Sequence, residues 1–388
     1  MKPGWSYKPL PKVLLRVPST KKIKKKEYLD SGKYPIISQE EGVVNGYWND
    51  ENDLIRLRRP IVIFGDHNQV VKYIDFDFVR GADGTKILDL IPELEPRFFY
   101  YFLLANPIEA IGYARHFRFV KELEVPFPPL EEQRRIVAVL DQAFEGLDRA
   151  RANTEANLNE ASYIFSNVLG GLFNQSKRGW KIGTVDEAVS EGVLAKPIDG
   201  NHGETHPKKS DFVSSGVPFI MASDLADGLV NQNDCYFITE DQAQGLRKGF
   251  SKSNDVLLSH KGTIGRVAKL KTDLKYVMLT PQVTYYRSEN HDKLDPDYIY
   301  YFLQSEIFQK PLLDIARGGS TRAYIGITKQ RSLPFYYPSK EEQSKLIKIC
   351  NRIERYAANL YSTYEARLTE LDDLRQSLLA KAFAGELT

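Results

Sequence analysis

One long amphipathic pattern occurs twice in this chain, over residues 131–172 and again over 341–382, and it restricts the possible folds more than any other feature. In the first copy Val137, Leu140, Phe144, Leu147, Leu158, Ala161, Phe165, Val168 and Leu172 follow steps of three and four, interrupted by Arg151 and Thr154. In the second, Leu346, Cys350, Ile353, Ala357, Leu360, Tyr364, Leu371, Leu374 and Leu378 keep the same rhythm, with Arg367 as the polar break. This is the heptad seam of helices that pack along their length, and a polar residue inside it fixes register at a cost in stability. At 1.5 Å per residue each run spans roughly 60 Å, more than an ordinary domain core needs. One such helix suits dimerisation of two chains. Two copies in one chain can pair with each other, and an antiparallel intramolecular coiled coil is the expectation.

The helix entrances repeat as well, as VPFPPLEEQ at 125–133 and LPFYYPSKEEQ at 333–343. Proline suits the first helical turn, and acidic side chains there face the positive end of the helix dipole. Ser339 with Glu342 has the spacing of a capping box. Gly385 stands where a left-handed stop is expected, and Gly170 and Gly171 loosen the end of the first helix. Glu131, Glu132 and Gln133 recur as Glu341, Glu342 and Gln343. Such twin sets suit either helix capping or the binding of two identical partner subunits by pseudo-symmetry.

The stretches between the helices are also related. Gly4-Trp5 is echoed by Gly179-Trp180, SGKYPIISQE at 31–40 by SGVPFIMASD at 215–224, and LEPRFFYYFL at 94–103 by LDPDYIYYFL at 294–303. Ala114-Arg115 is matched by Ala316-Arg317 just before the helix entrances. The order is domain, helix, domain, helix, with expected boundaries at 1–128, 129–174, 175–338 and 339–388. Residues 60–64, 70–74, 255–259 and 265–270 read as strands, so each domain is expected to be a mixed α/β unit and the whole chain α+β. Shared frames with unshared loops point to different ligands.

With 42% hydrophobic residues, 388 residues suffice for two or three cores. Basic and acidic residues nearly balance at a net +2, so any basic surface must be local. Cys235 and Cys350 are far apart, which argues against a disulfide framework or a cysteine-based zinc site. No leader-like or membrane-length apolar run is evident, and a cytoplasmic protein is expected. The catalytic motifs that DNA enzymes need are missing. GADGTK at 81–86 has its glycine, threonine and lysine in the wrong order for a phosphate loop. Asn106-Pro107-Ile108-Glu109 is a poor match to an adenine-methylation motif and reads as a helix end. Asp255 with Asp273 and Lys275 can be forced into a nuclease-like set, but reads better as surface charge. His202 and His206 have the spacing of zinc ligands on a helix, but Gly200, Gly203 and Pro207 argue for a polar loop. Neither a catalytic residue nor a metal site is expected.

The remaining polar clusters suit DNA. Lys21, Lys22, Lys24, Lys25 and Lys26 form a basic run that serves either as phosphate contacts or as a solvated loop. Asp66, His67, Asn68 and Gln69 lie between two strands, where amide and imidazole groups can meet base edges or simply form a turn. His260, Lys261, Thr263 and Arg266 occupy the corresponding loop of the second domain, with Gly262 and Gly265 letting the backbone approach a ligand. Arg115 and Arg118, and the run Arg317, Ser320, Thr321 and Arg322, close the two domains as candidate phosphate clamps. Arg115 and Arg317 suit internal ion pairs equally well.

Taken together, these segments resemble the specificity subunit of a type I restriction-modification system along the whole chain. The PPLEEQ and PSKEEQ entrances with their long helices, FGDHNQVVKYIDFDFVRGADGTKIL at 64–88 and SHKGTIGRVAKL at 259–270 carry the likeness. The resemblance implies two target-recognition domains alternating with two conserved helical regions. It also implies a non-catalytic chain that binds a split double-stranded DNA sequence and holds two modification (methyltransferase) subunits, to which two restriction subunits can be added. S-adenosylmethionine, ATP and Mg²⁺ would then belong to those partners, with no cofactor in this chain. The alternatives are an orphan DNA-binding regulator or scaffold, and a diverged stand-alone nuclease or methyltransferase.

Overall fold

The computed structural model describes residues 4–17, 19–108, 114–173, 179–203, 205–317 and 324–387. The two long helices run over Leu130–Phe173 and Lys340–Ala384, and Gly385 ends the second with a φ of +78°. The chain forms two compact units, one of Met1–Glu155 with Glu365–Thr388 and one of Ala156–Tyr364, so each unit contains part of both helices.

In the first unit, Leu140 and Phe144 of the first helix pack in one core with Leu379 and Ala382 of the second. Arg375 meets Asp148 at 3.0 Å, and Arg151 reaches both Asp372 and Glu155. Thr154 is buried, and its hydroxyl bonds back to the Ala150 carbonyl at 2.8 Å. Arg367 is not in the seam as expected. It is exposed, and the half-buried Leu368 takes the inward position one residue on.

The globular part of this unit has two small sheets. In the four-stranded sheet, Tyr34–Ile37 and Phe78–Arg80 form a parallel central pair flanked by Gly46–Trp48 and Leu54–Ile55. In the three-stranded sheet Ile61–Gly65 lies between Val71–Ile74 and Thr85–Leu88, antiparallel to both. All five residues of Ile61–Gly65 are buried, as a short continuous apolar run should be. Helix Pro96–Ala105 starts with proline at its first turn and packs its aromatic face into the core beside Trp5.

The second unit repeats this plan and adds to it. Val256–Ser259 is again the buried central strand, between Val283–Tyr286 and Val267–Lys269, but Ile198–Asp199 and the hairpin of Leu225–Ala226 and Leu229–Val230 extend the sheet to six strands. Val217–Ile220 pairs in parallel with Val277–Leu279 in the four-stranded sheet. Each unit is also closed by a short antiparallel clamp just after its tryptophan: Ser6–Pro9 with Glu124–Phe127, and Lys181–Thr184 with Pro334–Tyr337. Its last component is a phenylalanine from the far end of a long helix. Phe383 packs 5.1 Å from Phe98 in the first unit, and Phe173 packs 5.7 Å from Tyr298 in the second.

Each long helix is anchored at its entrance by one glutamine. Gln133 Nε2 donates to the carbonyls of Glu93 (3.0 Å) and Pro128 (2.8 Å), and its Oε1 accepts the Glu95 N–H at 2.8 Å. Gln343 repeats this with the Lys293 carbonyl (2.8 Å), the Pro338 carbonyl (2.9 Å) and the Asp295 N–H (2.9 Å). Both side chains are fully buried, so the expected role of Gln133 and Gln343 in partner binding is corrected: they join the long helix to the start of the aromatic helix. A buried amide with all its bonds made is stabilising, whereas its removal strands several backbone groups. Gln133→Ala and Gln343→Ala are each expected to cost about 2–4 kcal/mol in urea unfolding of the full chain. Glutamate at either position should cost more, because it sets a carboxylate against two carbonyl oxygens. A loss within about 0.5 kcal/mol would refute the anchoring role.

Candidate nucleic-acid interface

In the first unit the candidate residues gather at one end of the three-stranded sheet. Loop 66–69 is closed by Gly65 N–H on the Val70 carbonyl (2.8 Å) and Gln69 N–H on the Gly65 carbonyl (2.9 Å). Asp66 is buried and forms the base of the loop, with its carboxylate accepting the Phe117 N–H at 2.9 Å and pairing with Lys86 at 3.0 Å. Burial alone would raise its pKa, but the Phe117 N–H and the Lys86 ammonium outweigh burial and hold it below the ordinary carboxylate value. His67 Nδ1 lies 3.2 Å from the Ala114 carbonyl, and its backbone N–H donates to Gln39 Oε1 at 3.3 Å. Asn68 donates to the Gln39 carbonyl and accepts the Val70 N–H at 3.3 Å. Gln69, at a left-handed φ of +60°, has no side-chain hydrogen bond among the described residues. Its amide is free to bond a ligand, and such a backbone outlier persists where surrounding structure dictates it.

The lysine run is fixed to the same end. Its one apolar member, Ile23, is buried and bridges Gly81, and Gly84, three residues further, packs against Gln39 and His67. Lys21 pairs with Asp53 (3.4 Å) above the Trp48 ring, and Lys25 pairs with Glu40 (3.0 Å). Lys22, Lys24 and Lys26 are exposed without an acidic partner among the described residues. Arg115 and Arg118 are exposed on either side of buried His116, whose N–H donates to the Asp66 carbonyl at 2.8 Å. Against segment 38–45 the buried Lys72 ammonium donates to the Ser38 carbonyl (2.9 Å) and Asn45 Oδ1 (3.0 Å), and burial brings its pKa down to about 8.

In the second unit the corresponding turn joins Val256–Ser259 to Val267–Lys269. It is closed by Ser259 N–H on the Arg266 carbonyl and Gly265 N–H on the Ser259 carbonyl, both at 2.9 Å. Gly262 and Gly265 have φ of +80° and +91°, which accounts for glycine at both. Lys261 and Thr263 are exposed, with the Lys261 ammonium 6.0 Å from the Tyr324 ring. The Arg266 guanidinium leans back on the Ala222 and Leu225 carbonyls at 3.4 Å. His260 does not belong to the exposed set and is corrected: it is fully buried, with Nδ1 2.9 Å from the Ile325 carbonyl. It is the counterpart of Asp66, the residue that follows the central strand and receives the segment returning towards the long helix. Arg317 is exposed at the end of helix Glu306–Arg317, while Ser320, Thr321 and Arg322 lie outside the described residues.

The acidic entrances are divided. Glu131 and Glu341 are exposed and pair with Arg134 (3.0 Å) and Lys345 (2.6 Å) of their own helices. Glu132 bonds Arg135 at 2.9 Å, and Glu342 accepts the Trp180 indole N–H at 3.1 Å. His202 bonds Asp199 (2.6 Å) and His206 Nδ1 faces the Asn201 carbonyl (3.2 Å), and among the described residues no three His, Cys, Asp or Glu side chains are grouped to hold a metal. Gln39, which positions His67 and Asn68, is a site residue that the sequence reading misses, although it is the next-to-last residue of a repeated segment.

A sequence profile of the type I restriction modification DNA specificity domain matches residues 13–160 and 197–369. These two stretches make up most of the chain, which belongs to this family of DNA specificity proteins. The chain is 24% identical over 371 residues to the type I restriction enzyme EcoBI specificity subunit of Escherichia coli, covering 89% of this chain and 76% of that protein. It is 22% identical over 358 residues to the EcoR124I/EcoR124II specificity subunit of Escherichia coli, covering 86% and 82%. A solved chain from work on complex assembly and conformational transition of the type I R-M system has the same fold, with a TM-score of 0.74, 19% identity and 99% of both chains covered. The HsdS subunit from Thermoanaerobacter tengcongensis follows at a TM-score of 0.56 and 19% identity, covering 100% of this chain and 98% of that one. Among the described residues no helix is long and apolar enough to cross a membrane.

Burial pulls the His260 pKa from 6.5 down to about 4. The folded value lies below the unfolded one, so between pH 6.5 and about 4 the unfolded chain takes up a proton that the folded chain does not, and stability falls as the pH drops. This one group should remove up to about 3 kcal/mol across that window. His260→Asn is expected to flatten the acid limb of the stability profile relative to the wild type, as measured by urea unfolding at stepped pH. Parallel profiles would mean that burial does not lower the His260 pKa in the folded chain.

Proposed function

We propose that this chain is the non-catalytic DNA-reading subunit of a type I restriction-modification complex, and that each unit reads one half of a bipartite double-stranded target. The observation that carries this reading is the pairing of one scaffold with two different loop chemistries. The same central strand, closing segment and glutamine anchor recur, whereas loop 66–69 offers an amide and an imidazole and the turn after Ser259 offers Lys261 and Thr263. Exposed cations beside each loop, Lys22, Lys24, Lys26, Arg115 and Arg118 in one and Arg317 in the other, suit phosphates on either side of the bases.

The paired helices are proposed to act as an antiparallel coiled coil that fixes the spacer between half-sites, and the first unit's Arg375–Asp148 and Arg151–Asp372 contacts, which run in opposite chain directions, support that pairing. With 44 and 45 residues each helix is about 66 Å long, and a fixed separation between readers selects a fixed spacer. In the proposed domain layout, recognition domains at 1–128 and 175–338 alternate with helical regions at 129–174 and 339–388. Glu131 and Glu341, exposed at equivalent positions, are proposed contacts for two modification subunits, with two restriction subunits in the full complex and action in the cytoplasm. S-adenosylmethionine-dependent methylation and ATP- and Mg²⁺-dependent cleavage then belong to those subunits.

Two single substitutions test the division of labour. Gln69→Ala should relax or weaken the first half-site by about 1–3 kcal/mol, the magnitude of one bidentate base contact, and leave the second unchanged. Lys261→Ala should act on the second alone; if its contact is to phosphate, it should weaken all sequences alike and lower the salt slope by about one. Binding profiles of the assembled complex on half-site libraries read both. A change in base preference at the half-site assigned to the other unit would contradict the proposal.

A further inference from the structure

A cavity of ≈ 710 Å³ opens in the first unit beside Ile61, Ile87 and Asp89, at the end of the three-stranded sheet opposite loop 66–69. Its size is that of a small-molecule site. Arg16, Arg56, Arg58 and Arg59 line it against the single carboxylate of Asp89, and most of the remaining wall is aliphatic. Arg56 is already bound by Glu51. Arg16 and Arg58 have no ion-pair or hydrogen-bond partner among the described residues. Arg59 Nη2 is buried without a hydrogen bond, with the nearest Asp89 oxygen 3.8 Å away, and the buried Thr20 hydroxyl is also unpartnered. Unmet buried donors of this kind are costly and call for an acceptor.

The second unit shows how this corner is filled when it needs no ligand. Leu15 N–H bonds the Asp89 carbonyl and Ala195 N–H bonds the Arg287 carbonyl, each at 2.8 Å, and the next residues, Leu90 and Ser288, bridge Leu14 and Leu194. Asp89 and Arg287 therefore occupy the same place in the two copies. In the second copy Arg287 forks onto the buried Asp255 with two bonds of 2.7 Å, and its third contact is the Phe250 carbonyl at 3.1 Å. In the first copy the charges are reversed, the pair is loose, and three further arginines surround it. One copy supplies its own anion, and the other has cations in excess.

We propose that this corner of the first unit binds a phosphate group, with the guanidiniums of Arg58 and Arg59 taking its oxygens, Thr20 adding a hydroxyl and the aliphatic wall accepting the body of a small organic phosphate. Planar guanidinium forks match phosphate oxygens in pairs, which favours arginine over lysine here. A free nucleoside phosphate and a DNA backbone phosphodiester supply the same chemistry. The site is separate from the half-site loops and does not depend on which bases they read.

The test uses the full chain and four probes at matched ionic strength: AMP, sodium phosphate, adenosine and sodium chloride. With a free phosphate ligand, AMP and more weakly phosphate raise the unfolding midpoint, adenosine and chloride do not, and Arg58→Gln or Arg59→Gln weakens AMP binding about tenfold or more in calorimetry. Arg16→Gln, on an exposed segment outside the strands, should act in the same direction and covers the case in which an Arg59 variant fails to fold. If DNA is the source, AMP leaves the midpoint unchanged, while Arg58→Gln weakens binding to random-sequence duplex and lowers the salt slope by about one. Either pattern supports the phosphate site and assigns its source. Absence of both, or equal AMP affinity in the wild type and variants, would overturn it.

Discussion

Two buried glutamines fix the path by which each globular unit hands the chain over to its long helix. A primary amide is the one uncharged side chain that can give two hydrogen bonds and take one in a space closed to water, and Gln133 and Gln343 use all three. The segment before the aromatic helix, the turn before the long helix and the long helix itself are thereby joined at one point. Two turns along the helix, Asp141 takes the Arg97 guanidinium (2.7 Å) and the Tyr101 hydroxyl, and Asn351 takes the Tyr301 hydroxyl (2.6 Å). The aromatic helix is therefore fixed at its start and again at mid-length.

A frame held in this way tolerates change in its loops. Asp66 and His260 follow the same strand and receive the same returning segment, yet one is a carboxylate satisfied by Lys86 and the other a neutral imidazole kept so by burial. The Asp66 carboxylate is fully partnered, whereas in the second unit His260 bonds through Nδ1 alone and its Nε2 is buried without a partner among the described residues. The exposed tips above them are free to differ because the backbone bonds beneath them do not. Cys235 and Cys350 take no part, since burial raises their thiols to about 11 and about 12 and leaves them protonated.

Much of this was legible in the sequence because its signals are local. The proline entrances, the YYFL helices and the paired tryptophans emerge where they were expected, and so does the heptad rhythm except at Arg367 and at Leu374, which is exposed. The outward role given to Gln133 and Gln343 had its correction within reach: they lie seven residues before the seam positions Leu140 and Cys350, one heptad back, which places both on the buried face. Arg367 was misread because Tyr364 to Leu371 is a full heptad, and the inward residue between them is Leu368. Burial of His260 could not be read from a turn sequence, since it depends on Ile325, 65 residues away. The arginine-lined cavity was equally hidden, because LIRLRRP has no period and the deficit of acids around it is set by distant chain.

The central claim is that one chain positions two independent readers for partner subunits that carry out the chemistry. Methylome sequencing of cells with and without this chain, its partner subunits present in both, tests that claim most directly. The account predicts methylated bases in a split motif, two specific half-sites separated by a spacer of constant length and unrestricted sequence, all lost when the chain is absent. A contiguous single motif, a spacer of variable length, or methylation that persists without the chain would contradict it.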